Sequence, residues 1–296
     1  MAIVLKKSHR WRVVLVHVLM IAFLTLTVAP FLMILSISLR PGNFAGGHLI
    51  PQHISFEHWK LALGISYIDD DGHLVKPAFP VLQWVFNSIK VALVSATVSL
   101  LLSITSAYAF ARMRFRGRNG LLNSLLLLQM FPSVLALVAI YALFDRIGEV
   151  VPALGLNSHW SLALAYTGGV AQHIWLIKGY FDSVPRELEE AAAVDGATPF
   201  QAFVKVLLPM ATPILIVVFV LAFLGAMIEY PIASVMLQDQ QKLTLAIGSR
   251  LFLFDQNYLW GDFAATAILA GLPLTLMFVV TQRWLVSGLT SGGVKG

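Results

Sequence analysis

Six long apolar runs decide what this chain can become: residues 13–39, 84–111, 121–144, 160–180, 211–237 and 263–286. Each can supply the ~20 helical residues that cross a hydrocarbon core. The runs are continuously apolar and do not alternate, so they predict helices and exclude the strands of a transmembrane barrel. Some exceed the minimum, which implies tilt or extension into the interface. Hydrophobic residues fill 58% of the 296 positions and charged ones 12%, too little polar surface to clothe a soluble globule. The expected fold class is an all-α membrane protein with six transmembrane helices, organised as one transmembrane domain over 1–296.

Lys and Arg set the expected orientation. Lys6, Lys7, Arg10, Arg12, Arg112, Arg114, Arg116, Arg118, Lys178, Arg186, Lys205, Arg283 and Lys295 fall on one side by parity. Arg40, Lys60, Lys76, Arg146, Lys242 and Arg250 fall on the other, in longer loops. Positive residues stay inside, so both termini are expected in the cytoplasm. Segments 1–12, 182–210 and 287–296 are then cytoplasmic, and 40–83 and 238–262 are external loops. The net charge of +5 is explained by topology and points to membrane lipid, with no nucleic-acid partner. The first run has a basic start, but its apolar part is about twice a signal-peptide core and no A-x-A site follows, so it reads as a retained span. Cys is absent, which excludes disulfides, thiolate metal sites and a Cys nucleophile.

Catalytic signatures are missing. There is no G-x-x-x-x-G-K-[ST], no H-E-x-x-H and no G-x-S-x-G, so the chain reads as a transporter or channel with no cofactor of its own. The turn Asp69-Asp70-Asp71-Gly72 lacks the alternating spacing of a calcium loop and reads as a solvated turn, with no metal expected. In 238–262, Leu243, Leu245, Ile247, Leu251, Phe252, Leu253 and Phe254 interleave with polar residues. An interfacial helix on the bilayer and a probe touching an external partner both fit that pattern.

Segment 190–209, EAAAVDGATPFQAFVKVLLP, is a polar, capped pair of short helices between two apolar runs. Ser183 is expected to N-cap a helix with Pro185 in its first turn and Glu187 at its positive end. Leu188, Ala191, Ala192 and Asp195 then share a face. Gly196 suits a left-handed helix end. Thr198, Pro199 and Gln201 form an N-cap, an N1 proline and a capping-box glutamine. Pro209 and Pro213 are expected to break or re-aim the chain. An ordinary capped turn and a handle gripped by a partner are both compatible with these residues.

Glu190-Ala191-Ala192, Asp195-Gly196-Ala197 and the spacing on to Val206-Leu207-Leu208-Pro209 resemble the EAA loop of bacterial ABC importer permeases. The one departure is Val206, where the family usually has Ile. The strings ISLRPGNFAGGHLIP, AYAFARMRF, LQMFPSVLALVAIYALFDR, WLIKGYF, NYLWGDFAA and QRWLVSGLTSGGVKG extend the likeness from Ile37 to Gly296, toward the smaller permease subunits of maltose/maltodextrin importers. The resemblance implies the type I ABC importer permease fold in the bacterial inner membrane. It also implies a MalF-like permease partner, a MalK-like ATPase homodimer that binds ATP and Mg, and a periplasmic maltose-binding protein.

By the same resemblance, Glu190, Ala191, Ala192, Asp195 and Gly196 couple the ATPase to the membrane helices. Gly292 and Gly293 insert between the ATPase subunits, where a frayed terminus is the plain alternative. Asp255, Gln256 and Asn257 touch the binding protein. Glu229 and Pro231, in the outer part of the fifth run, read either as a gate or as groups reaching interfacial water. Lys90 is expected to snorkel to the interface, and Gln129 with Pro132 to mark a kink. No sugar-binding residue is singled out. An importer for another sugar and a self-contained secondary transporter are the rival readings. The second would need paired broken helices and an ion site, which this sequence does not display.

Overall fold

The computed structural model describes residues 7–254 and 257–291. Four helices among them are long and apolar enough to cross a membrane, and a bent helix pair adds a fifth candidate. The chain divides into two compact units: residues 1–80 with 249–269, and 81–248 with 270–296.

In the first unit, α1 (Lys7–Ser38) has no buried residue in its apolar stretch. The polar side chains within it bond backward to their own helix, Thr25 Oγ1 to the Ile21 carbonyl (2.9 Å) and Thr27 Oγ1 to Phe23 (2.8 Å). That removes the cost of exposing a hydroxyl to hydrocarbon. A short helix α2 (Glu57–Ala62) and a hairpin β1 (Tyr67–Ile68) with β2 (Leu74–Val75) follow. At the hairpin tip, Asp69 Oδ1 accepts from the backbone of Asp71 (3.1 Å) and His73 (2.7 Å), as a turn-forming carboxylate does. Asp69, Asp71 and His73 bring their ligand-type atoms within 4.8 Å of one another there.

A second hairpin, β3 (Leu253–Phe254) with β4 (Asn257–Tyr258), precedes the long helix α13 (Trp260–Ser291). The start of α13 is tied down by residues distant in sequence. Asn43 Oδ1 accepts from the N–H groups of Gly261 (3.0 Å) and Asp262 (3.2 Å). His58, 1% exposed, puts Nδ1 2.6 Å from Asp262 Oδ1 and Nε2 3.1 Å from the Gly42 carbonyl. A Cβ on Gly261 would lie 2.1 Å from His58 Nε2, so only glycine admits this latch.

The second unit is built around α3 (Val81–Arg112). Ser88, Ala92, Ser95, Ala96, Ser99, Ser103 and Ala107 run along its buried face at helical spacing. Small side chains let neighbouring helices approach closely, and α7 (Val170–Ser183) and α10 (Leu208–Ile228) pack against it.

The predicted runs survive with breaks. The third divides into α4 (Arg118–Gln129) and α5 (Leu137–Val150), bent by 88° across a break containing Pro132, which cannot donate to a continuing helix. The fourth contains α6 (His159–Ala165), then a tighter 3₁₀ turn at Tyr166–Gly169 with two adjacent glycines, then α7. The fifth stops at Glu229, whose backbone is extended, and resumes as α11 (Pro231–Met236). The expected break at Pro209 and Pro213 does not occur. A wide π-type turn at Phe203–Leu207 precedes them, Pro209 lies in the first turn of α10, and the helix runs through Pro213.

Residues 238–248 do not form an interfacial helix. They fold back onto α3 as far as α12 (Leu245–Gly248), with Leu243 and Leu245 buried. Trp84 Nε1 donates to the Gln240 carbonyl (2.6 Å), Asn87 Nδ2 to those of Gln241 (2.9 Å) and Leu243 (3.0 Å), and the Ser88 hydroxyl accepts from Leu245 N–H (2.7 Å).

Candidate functional site

Two features of the second unit stand out, a capped helix pair and a mostly apolar cavity that carries several polar side chains. The pair is α8 (Glu187–Val194) and α9 (Pro199–Ala202). Glu187, Glu189 and Glu190 occupy the first turn of α8, where the helix dipole favours carboxylates. Ser183 does not cap it; its hydroxyl donates instead to the Tyr180 carbonyl (2.7 Å) at the end of α7, which runs to that residue. The far end follows the sequence reading. Gly196 has φ +87°. Its N–H reaches the Ala193 carbonyl (3.0 Å) and the Ala197 N–H reaches Ala192 (2.9 Å), the paired bonds of a Schellman turn. Thr198 and Gln201 then make both bonds of the capping box at 2.8 and 3.3 Å.

Glu190, Ala191, Asp195 and Gly196 are exposed and Ala192 is half-buried. Beside them Val194 is 89% and Phe200 72% exposed, an apolar surface of the kind a partner covers.

The base of the pair is rigidly held by contacts that the sequence did not disclose. Arg112, at the end of α3, places Nε 2.5 Å from Glu189 Oε1 and donates from Nη2 to the Val184 carbonyl (3.0 Å). Arg186 reaches the opposite way, to the Ala111 carbonyl (3.1 Å). Phe203 packs at a tilt of 48° against Tyr108, ring centres 4.4 Å apart, and edge-on against Phe181 at 6.5 Å. Residues 77 positions apart carry no local periodicity, so no spacing rule would have paired Arg112 with Glu189.

The cavity encloses ≈ 720 Å³ among α3, α4, α5, the 166–169 turn, α7, α10 and α11. Ser95, Ser99, Gln129, Tyr166, Gln172, His173 and Glu229 contribute its polar lining. Glu229 sits where α10 breaks, and its two carboxylate oxygens accept the N–H groups of Ile232 (2.8 Å) and Ala233 (3.0 Å). Pro231 is the first residue of α11, where a missing N–H costs nothing. Gln129 Nε2 reaches the Gly169 carbonyl (3.4 Å), and His173 Nδ1 is buried with no partner among the described residues. Lys90 lines a separate cavity of ≈ 580 Å³ with Lys242 and His159. Of the remaining sequence candidates, Asn257 begins β4, while Asp255, Gln256, Gly292 and Gly293 lie outside the described residues.

A family model described as "Binding-protein-dependent transport system inner membrane component" matches residues 99–291, which contain the helix pair and, apart from Ser95, the residues that line the cavity. The chain belongs to this family. Among its relatives are proteins named "Maltose/maltodextrin transport system permease protein MalG". That of Photorhabdus laumondii is 58% identical over the whole of both chains, and that of Escherichia coli K12 is 56% identical with the same coverage. A bacterial ABC transporter involved in the import of the acidic polysaccharide alginate has a chain of the same fold. It gives a TM-score of 0.77 at 21% identity, covering 96% of this chain and 100% of that one. The MetNI methionine ABC transporter gives 0.54 at 18% identity over 70% and 95% of the two chains. This member of the binding-protein-dependent family is thus a multi-pass, mostly helical membrane protein and a transport component.

Proposed function

We propose that the chain is the permease subunit of an ATP-driven importer carrying maltose and maltodextrins across the bacterial inner membrane. The observation that carries this reading is full-length identity of 55–58% to permeases bearing that name. The chain crosses the membrane six times, the bent third and tightened fourth runs each counting as one, with both termini in the cytoplasm. It acts as one permease domain. It does no covalent chemistry; ATP and Mg belong to a MalK-like ATPase homodimer, and a MalF-like permease and a periplasmic maltose-binding protein complete the assembly.

In this reading α8 and α9 form the coupling element. Glu190, Ala191, Ala192, Asp195 and Gly196 are presented to a cleft in the ATPase, with exposed Phe200 and Val194 at its edge. A short, internally capped helix pair fixed to the end of α3 transmits rigid-body motion, which alternating access requires. Asp255, Gln256 and Asn257 contact the binding protein, and Gly292 and Gly293 approach the ATPase pair. Glu229 and Pro231 serve as a gate at the break in the fifth span, an assignment that Glu229→Gln with unchanged transport and coupling would remove.

Purifying the tagged protein in mild detergent tests the whole reading. Stoichiometric recovery of a Walker-motif ATPase and a second, larger permease is expected. A lone chain or homo-oligomer, in detergent that preserves such complexes, would overturn it in favour of a self-contained transporter.

A further inference from the structure

The chemistry of the cavity narrows what can occupy it. None of its described lining residues is Lys or Arg, so it has no means of neutralising an anionic solute. Its one carboxylate, Glu229, already holds two backbone N–H groups, which leaves it poorly placed to strip a cation of water. An apolar solute would leave the buried His173 Nδ1 without a partner, an arrangement native interiors avoid. What remains is a neutral ligand rich in hydroxyls. Gln129 and Gln172 each offer an amide donor and acceptor, and His173 offers a ring nitrogen that works as either. Phe131, 57% exposed, presents an aromatic face of the type that packs against the C–H face of a sugar ring.

We propose that this chain carries its own hydroxyl-binding subsite for a neutral oligosaccharide, with Gln129, Gln172 and His173 as its hydrogen-bonding groups and Phe131 as its stacking surface. The subsite receives sugar units of chains longer than a disaccharide. This inference rests on the importer reading above, and it makes this chain a contributor to substrate recognition as well as a wall of the path.

The test uses the assembled importer with its ATPase, partner permease and binding protein in proteoliposomes, measuring uptake of maltose and maltohexaose. Gln129→Ala combined with Gln172→Ala, and separately His173→Phe, should raise the KM for maltohexaose by about three- to tenfold, the loss expected for one or two neutral hydrogen bonds. The KM for maltose should change less than twofold, and His173→Gln should restore much of the longer sugar's uptake. A KM for maltohexaose that stays within twofold of wild type in every variant, or that rises by the same factor as the KM for maltose, with transport retained, overturns the subsite.

Should a variant fail to assemble, protection supplies a second readout. The chain has no native Cys, so Gln172→Cys introduces its only thiol. Its labelling by a small maleimide should slow at least about threefold under saturating maltohexaose. Labelling that is absent without sugar, or unaffected by it, also overturns the subsite. If the wild-type importer takes up neither sugar, the importer reading fails instead.

Discussion

Gly196 is the position where one atom matters most. Its φ of +87° lies in the left-handed region, which costs an L-residue about 1–2 kcal/mol, enough to shift a conformational equilibrium by about 5- to 30-fold. No atom would meet a Cβ there, so Gly196→Val should leave assembly intact while uptake per ATP hydrolysed falls, as side-by-side uptake and hydrolysis assays would register. Glu229 presents a different case. Glu229→Ala strips both caps from α11 and should lower thermal stability by about 1–2 kcal/mol, whereas Glu229→Gln keeps one acceptor and should lose less. His58 gives a pH prediction. Burial works against its charge, but the hydrogen bond to Asp262, then the carboxylates of Asp262 and Glu57 and the Gly42 carbonyl, outweigh it and raise its pKa above the ordinary 6.5. With both ring nitrogens on acceptors, the imidazolium is the bound form. A raised pKa means that this stabilisation is fully present below pH 6.5 and is lost as pH climbs through the folded value. Wild-type stability should therefore decline above pH 6.5 more steeply than that of His58→Gln, which unfolding across a pH series would reveal.

Among the elements, the joint between α3 and the base of α8 is the most exacting. Arg112 and Glu189 are 8% and 15% exposed as side chains, so removing either strands a partly buried charge. Arg112→Ala should destabilise by about 1–3 kcal/mol, and adding Glu189→Ala should cost little more because the pair is already broken. Independent, additive losses in thermal unfolding would contradict that joint. The legible and illegible parts of the fold divide here along physical lines. Gly196 and the Thr198–Gln201 box were readable because each is a local rule, satisfied within four or five residues of chain, and the apolar runs because hydropathy accumulates along one continuous stretch. The Ser183 cap failed because α7 carries its helix to that residue, where the hydroxyl bonds backward. The breaks at Gln129 and Glu229 were visible only as a polar residue near a proline. What those polar residues line depends on which helices the fold brings together, and no spacing encodes that. The docking of 238–248 was hidden for the same reason, since Trp84 and Asn87 find their carbonyls, and Ser88 its N–H donor, more than 150 positions away.

For the whole molecule, family membership and the helical architecture fit a transport component whose energy comes from elsewhere, and copurification with an ATPase is the decisive outcome named above. The helices differ sharply in how much each needs the others. None of residues 11–35 in α1 is buried, and Thr25 and Thr27 are satisfied within the helix itself. The buried face of α3, by contrast, carries serines at 88, 95, 99 and 103, together with Asn87, whose side-chain Nδ2 donates to the carbonyls of residues 241 and 243. During synthesis on the ribosome, α1 can therefore leave the translocon and rest in lipid at once. The helix that follows it has to wait, its polar face sheltered by the insertion machinery, until more than 130 further residues have been made.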